Sequence, residues 1–483
     1  MARFFSLPAI ESARAWIQVR PWVLLAIGAL LLGVQIGDGW HPTGDGCCYL
    51  SMARSMARGG EVTNLGSQHL WFPPGYPALL SPFFLLGDRP FLAISAFQWL
   101  LATSFMLGVY AWARRTLPQA AVWIALASVI NMAFWFHYRR TLSEIAFMSV
   151  CIWTITALQA ATTARRAGAA LCAIITAGAL AGAMCLIRPA GIALAVGFAL
   201  ALLLAAWRQR LSWPRATLLA LVVGSSAAAA VGYVVLRDRA SAQRFAAATH
   251  LDDFAIAQPG FLLKCAHGLQ GSIADVGRVV VPGMLKCHGQ YGDWLDPNMV
   301  IHLPLFGLLF AGWWRWVRRQ ADPFAWALPC YFALCTAYGM DSGARLLVPL
   351  VPALLVCLWL GLECLGWRPA RILATAITLH LVFALGYWLA IDRPEARWLA
   401  RQWPAVDTLA AQVRTAPGPI VMHDCNPELA LMLELALDQW VDLNSADSRI
   451  LRQAQWTIGP EDLRRPERMA FRNAPDSGGA LSR

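Results

Sequence analysis

The chain has 483 residues, of which 58% are hydrophobic and only 14% charged, a balance that excludes an ordinary soluble globular protein. Runs nearly free of charge recur at about the 20 residues a bilayer crossing needs, so the chain reads as an all-α polytopic membrane protein. Its net charge of +11 resides in loop arginines beside a membrane and calls for no nucleic-acid partner.

About eleven spans are predicted, near residues 22–37, 91–113, 119–136, 144–162, 168–187, 190–207, 216–236, 301–314, 323–340, 345–366 and 371–391. A basic lead-in of about 20 residues precedes the first. That first apolar run is followed by Gly37-Asp-Gly-Trp40 rather than a small-residue cleavage site, so it is expected to remain as a span. With the N-terminus cytoplasmic, 15 arginines fall in inside loops, against 4 in short outside loops: Arg139, Arg140, Arg188 and Arg345. The two long loops, 38–90 and 237–300, then lie outside, as does the C-terminus. Of the 14 acids between residues 22 and 391, all but Asp322 and Glu363 share that outer side. This asymmetry points to chemistry at the external face.

The first outer loop carries the sharpest local signal. From Asp45 a helix is expected with Tyr49, Met52 and Met56 on one face and Ser51, Arg54, Ser55 and Arg58 on the other. Gly59 and Gly60 end it, and Phe72-Pro-Pro-Gly-Tyr-Pro77 forms a stiff turn before a second interfacial helix. An aspartate at a helix start meets the positive end of the dipole and stays ionised. Such a carboxylate can take a proton from a hydroxyl. A simple helix cap is the competing explanation for Asp45.

Glu144, in Arg139-Arg-Thr-Leu-Ser-Glu144, stands at the outer end of a span, where an ionisable residue is a functional candidate. A pairing with Arg139 or Arg140 would explain it equally, and those arginines can instead hold a phosphate. Arg188 and Arg345 interrupt apolar sequence on the same side, where snorkelling to lipid headgroups is the plainer role. His69, His137, His288 and His302 show no metal-ligand spacing and suit ordinary hydrogen bonding, and His380 suits the bundle interior. Asp252-Asp253 is a weak cation signal. There is no phosphate-binding glycine loop of the nucleotide-binding kinds, so a nucleotide-carried donor has no soluble cradle here.

Residues 237–300 show no strong periodicity. Most of the 12 cysteines lie in apolar spans, but Cys265 and Cys287 share this loop and can pair in an oxidising compartment. Of 39 basic residues only Lys264 and Lys286 are lysine, a compositional bias consistent with a bacterium. Residues 1–391 thus form a transmembrane domain, and 392–483 a small external α/β domain with a disordered tail. Its strands are expected at Gly418–His423 and Gln455–Ile458, flanking a helix at Pro427–Leu437. No internal repeat supports an inverted-repeat transporter.

At these residues the chain resembles the GT-C superfamily of integral-membrane glycosyltransferases, especially bacterial relatives of protein mannosyltransferases and aminoarabinose transferases. Asp45-Gly-Cys-Cys-Tyr-Leu-Ser-Met-Ala-Arg54 is similar to the family's Asp-x-x-x-Tyr-x-x-x-Ala loop, and Phe72–Pro77 to its Pro-Pro-x-Tyr-Pro turn. Thr141–Glu144, Gly182–Gly191 and Arg345–Pro352 resemble three further stretches, in order over about residues 22–366. The resemblance implies inverting transfer of a sugar from a polyprenyl-phosphate donor to a lipid, glycan or protein at the outer face. It implies Asp45 as catalytic base, Glu144 as assisting acid, and substrate or phosphate contacts from Tyr49, Arg54, His69, Tyr76, Arg139, Arg140, Arg188 and Arg345. Where the family often has a second acid beside the aspartate this chain has Gly46, which leaves a divalent cation open as cofactor. Membrane lipids are the other expected partners, in a bacterial inner membrane. A flippase of lipid-linked sugars and a polysaccharide polymerase or ligase are the rival readings.

Reporter fusions after residues 60, 270 and 430 are expected to report the outside, and those after 165, 212 and 318 the inside. Residues 60 and 430 on opposite sides would overturn this topology.

Overall fold

The computed structural model describes residues 20–37, 39–59, 62–66, 72–245, 261–281, 299–320, 322–338, 343–414, 420–422, 427–437, 439, 441–443 and 456–458. In chain order the helices are α1 Pro21–Gly33, α2 Gly44–Ala57, α3 Gly75–Leu80, α4 Phe91–Thr116, α5 Ala121–Val129 and α6 Met132–Tyr138. There follow α7 Glu144–Thr163, α8 Ala167–Ile187, α9 Gly191–Trp207, α10 Trp213–Phe245, α11 Phe261–Val280 and α12 Met299–Arg319. The last are α13 Pro323–Tyr338, α14 Val351–Cys364, α15 Pro369–Tyr387, α16 Arg393–Val413 and α17 Pro427–Leu437.

Six of the described helical segments are long and apolar enough to cross a bilayer, beginning at Phe91, Glu144, Ala167, Trp213, Val300 and Pro369. A seventh crossing arises if the pair Pro118–Val129 and Met132–Tyr138, bent by 49°, counts as one. The protein is an integral membrane protein: Trp22, Leu30, Leu221, Val300 and Val382 project outward from its helices, as side chains facing hydrocarbon do. The break at Ile130-Asn131 was not foreseen in the 119–136 span. Asn131 Oδ1 caps the second half, accepting from Ala133 N at 2.8 Å, so the freed backbone is satisfied internally.

Lipid gives no hydrophobic drive between helices, so small residues set their approach. A Cβ on Gly197 of α9 would stand 2.3 Å from Ala327 Cα of α13, and one on Gly178 of α8 2.5 Å from Val222 Cγ1 of α10. Gly197 thus sets α9 directly on the backbone of α13, and Gly178 makes room for the Val222 side chain.

One expectation for the loops needs correction: residues 261–280 of the second long loop form a regular helix, α11, which packs on α13. From Asp392 the chain runs on as a helix, α16, joined to α15 by one π-helical turn at Trp388–Asp392. Beyond it, α17 occupies Pro427–Leu437, and strands Ile420–Met422, Val441–Leu443 and Trp456–Ile458 pair in parallel with the first in the centre. The Val441–Leu443 strand was not anticipated. Cys287, His288 and Asp252-Asp253 lie outside the described residues, so the expected Cys265–Cys287 pairing does as well.

Gly197→Leu is expected to lower stability by about 1–3 kcal/mol through overpacking against Ala327. Gly224→Ala, where an added Cβ meets nothing within 4 Å, should stay within about 0.5 kcal/mol of the parent. Thermal unfolding of both variants in detergent checks the pair.

Candidate active site

The α2 helix begins one step earlier than its sequence suggests. Thr43, in extended conformation, is the cap, its Oγ1 accepting from Gly46 N at 3.0 Å. Asp45 therefore sits inside the first turn, where the dipole favours its charge but no capping bond consumes it. Its carboxylate, about one-third exposed, meets Arg345 Nη1 at 2.6 Å through Oδ2. The simple-cap explanation of Asp45 thus fails on geometry.

Glu144 opens α7 and is wholly buried. Its Oε1 accepts from both Arg188 Nη1 and Arg345 Nε. Arg188 is the residue after α8, held extended because Pro189 follows it. Arg345 lies in the 3₁₀ turn Gly343–Leu346, ahead of the Pro349 and Pro352 turns that start α14. Burial works against both guanidinium charges, yet the Glu144 carboxylate raises the pKa of each above its ordinary value. Arg345 accordingly bridges the two acids, and Arg188 binds the buried one from the other side. Four residues spread over three hundred positions of sequence converge at one end of the bundle.

The two aromatic motifs brace this cluster. Tyr49, buried on α2, shares a 3.1 Å hydrogen bond with Ser143 Oγ, one residue before Glu144. Tyr76, at the head of α3, meets Tyr49 edge-on at 5.1 Å, and its hydroxyl accepts from Gln98 Nε2 at 3.0 Å. Burial raises the pKa of both phenols, which stay protonated near neutrality. Gly75 explains the glycine of the Pro-Pro-Gly-Tyr-Pro turn: a Cβ there would lie 2.6 Å from the Leu186 carbonyl carbon, beside Arg188.

Four expected substrate contacts fare differently. Arg54 does not face water: it is buried, and its Nη2 donates to Leu435 O of α17 at 2.8 Å. Arg139 pairs with Asp392 rather than with Glu144, at 2.5 Å. Arg140 lies over the Phe136 ring, 3.5 Å from its centroid. His69 is outside the described residues. Ser143 and Gln98 escaped sequence reasoning, and His137, expected only to hydrogen-bond, is buried within electrostatic reach of Glu144. Only the adjacency of Ser143 to Glu144 could have signalled the first of them.

A divalent cation is poorly matched to Asp45 and Glu144. Both carboxylates are engaged by guanidiniums, and a side chain at 46 would begin 2.6 Å from Thr43 Oγ1 and 3.3 Å from Thr141 O. A second acid beside Asp45 would crowd the Thr43 hydroxyl that caps α2 and the Thr141 carbonyl.

Neither a family model nor a curated protein matches the sequence. Solved structures do. ArnT from Cupriavidus metallidurans in the apo state aligns with a TM-score of 0.53 at 14% identity, over 92% of this chain and 88% of that one. The apo oligosaccharyltransferase of Archaeoglobus fulgidus aligns with a TM-score of 0.52 at 15% identity, over 89% of this chain and 65% of that one. At such identity the likeness shows the fold alone: this chain shares its overall fold with those two proteins.

Neutralising the buried acid leaves two arginines without their shared partner, whereas Asp45 is about one-third exposed. Glu144→Gln is expected to cost about 3–5 kcal/mol, and Asp45→Asn less than about 1 kcal/mol. Thermal denaturation of the purified variants measures the difference; equal losses would refute the buried-pair reading.

Proposed function

We propose that the protein is an inverting glycosyltransferase that moves a sugar from a polyprenyl-phosphate donor to a hydroxyl acceptor at the outer face of a bacterial inner membrane. The observation that carries this reading is the convergence of Asp45, Glu144, Arg188 and Arg345 on one cluster. The N-terminus is then cytoplasmic and the C-terminus periplasmic. Four shorter apolar helices, from Pro21, Gly191, Pro323 and Val348, complete eleven crossings with the seven above. Residues 392–483 form a small external α/β unit on this reading.

An apolar groove of about 630 Å³ runs beside the cluster, between Pro74–Ala78, Gly178–Leu186 and Ser226–Tyr233. Leu186 lines it, and Arg188 follows two residues later. An isoprenoid chain in this groove delivers its phosphate to the arginines.

A phosphate arriving there competes for Arg345, whose guanidinium suits a bidentate grip. Turning toward the phosphate releases the Asp45 carboxylate, which then accepts the proton of the attacking hydroxyl. The new bond forms at the anomeric carbon as the opposite bond to phosphate breaks. The leaving polyprenyl phosphate takes that electron pair, and Arg188 and Arg345 stabilise its growing charge. Glu144 holds both arginines in place throughout. Acceptor identity belongs to the C-terminal unit and the first outer loop, which meet where α17 packs on α2.

With polyprenyl-phosphate sugars as donors, Asp45→Asn is expected to lose about 10²–10⁴-fold in transfer while expression and donor binding persist. Arg345→Ala should weaken donor binding and turnover together, because it touches phosphate in ground and transition states. Wild-type transfer by purified Asp45→Asn protein would rule out the base assignment.

A further inference from the structure

A second cluster, built by different residues, is left unused by this chemistry. His41, in the loop before α2, is 3% exposed, and its Nε2 is a buried atom with no hydrogen bond among the described residues. That atom lies 3.1 Å from Asp392 Oδ1. With one carboxylate oxygen each from Asp392 and Glu395 it forms a set whose members lie within 4.8 Å of one another. We propose that His41, Asp392 and Glu395 bind a divalent metal ion of the zinc type, which clamps the loop ahead of Asp45 to the head of α16.

Several features build this site. Asp392 closes the π-helical turn Trp388–Asp392, and Glu395 follows in the first turn of α16, so the spacing places both on one face. Arg139 Nη1 donates to Asp392 Oδ2, which leaves Oδ1 aimed at the imidazole. This is how outer partners orient a ligating carboxylate. Beside His41, Trp40 stacks on Phe91 at 5.5 Å and on Trp403 at 6.3 Å. A Cβ on Gly39 would lie 3.0 Å from Ala396 Cβ, beside Glu395.

Zinc bonds of about 2.0–2.2 Å place neighbouring ligand atoms roughly 3.3–3.5 Å apart. The His41–Asp392 pair stands near that spacing already, and partly exposed Glu395 closes the rest by side-chain rotation. One imidazole and two carboxylates leave a fourth position for water. Arg139 offsets one of the two carboxylate charges, and near Glu395 the opposite charges of Arg140 and Glu428 offset each other. A dication supplies the missing positive charge. The inference stands apart from the transfer reading, since Asp45 and Glu144 are not ligands.

The full-length protein, purified in detergent without chelator or histidine tag, provides the test. About one zinc per chain by elemental analysis is expected, with a saturable rise in Tm on adding zinc chloride that EDTA reverses. Glu395→Gln, at a partly exposed position, and His41→Ala should each weaken zinc binding at least about tenfold and flatten the Tm response. The proposal is overturned if wild-type protein takes up no zinc and its Tm ignores zinc chloride. It is overturned equally if both variants bind zinc as the parent does, because the metal would then sit elsewhere.

Discussion

One end of this bundle depends on one side chain, Arg345. Its guanidinium meets Asp45 on α2 and Glu144 on α7, while Arg188 holds Glu144 from a third element. A buried carboxylate costs several kcal/mol unless paired and hydrogen-bonded, and the same holds for a buried guanidinium. Two of each, interlocked, offset that cost jointly. Removing Glu144 leaves both guanidiniums without their shared partner among apolar helices, whereas partly exposed Asp45 can be replaced at little cost. The packing around the cluster follows from this demand: Gly75 lets the proline turn press on the end of α8, and Gly46 lets α2 press on the strand of chain before α7. Close backbone approach is what brings short side chains such as Asp45 within reach of a shared arginine.

Lipid as solvent shapes the rest. Backbone groups must be satisfied inside each helix, so irregular chain occurs where protein covers it. The break at Ile130-Asn131 is an example, with the Asn131 amide capping the shorter half. That half leads directly to Arg139 and Glu144 and so redirects the chain into the cluster. A broken helix is also a transporter feature, but here the paired charges gather at one end of the bundle rather than along a path through it. The other end has its own anchor, buried Asp322, which accepts from Thr116 Oγ1 at 2.6 Å and Phe324 N at 2.9 Å. Its hydrogen-bond donors are neutral, as suits a structural tie.

Spans and cluster residues were legible in the sequence for the same reason. Asp45, Glu144, Arg188 and Arg345 each interrupt apolar surroundings, and polar residues at a membrane boundary are costly unless they do something. Which charge meets which was not legible. Glu144 has two arginines four and five residues before it, yet its partners come from 44 and 201 residues away. Arg139 turns instead to Asp392, and Arg54 to a carbonyl of α17. Both of those partners lie in the C-terminal third, and no local pattern announces contacts across such separations. The helix at 261–280 was missed although its apolar residues recur at helical spacing, and its packing against α13 is a contact no local pattern announces. The cap was displaced by two residues since Thr43 and Asp45 are both good caps, and only packing selects between them.

On the proposed reaction the charge of the cluster is itself informative. With a phosphodiester donor in place, two guanidiniums face three anions: Asp45, Glu144 and the phosphate. As the acceptor hydroxyl attacks, its proton neutralises Asp45 while the departing phosphate monoester gains a negative charge. The sum over the cluster is therefore unchanged, although one unit of negative charge has moved from the base to the leaving group. In a site screened from water, a shift within a fixed set of dipoles costs far less than creating charge anew. Arg345 is the group able to follow that shift, since it already touches the base and can reach toward the phosphate beside Arg188. An acid at position 46 would add a fourth anion to this balance and require a metal to offset it. A side chain at 46 would crowd Thr43 and Thr141, and with glycine there the proposed balance leaves the charge to the arginines.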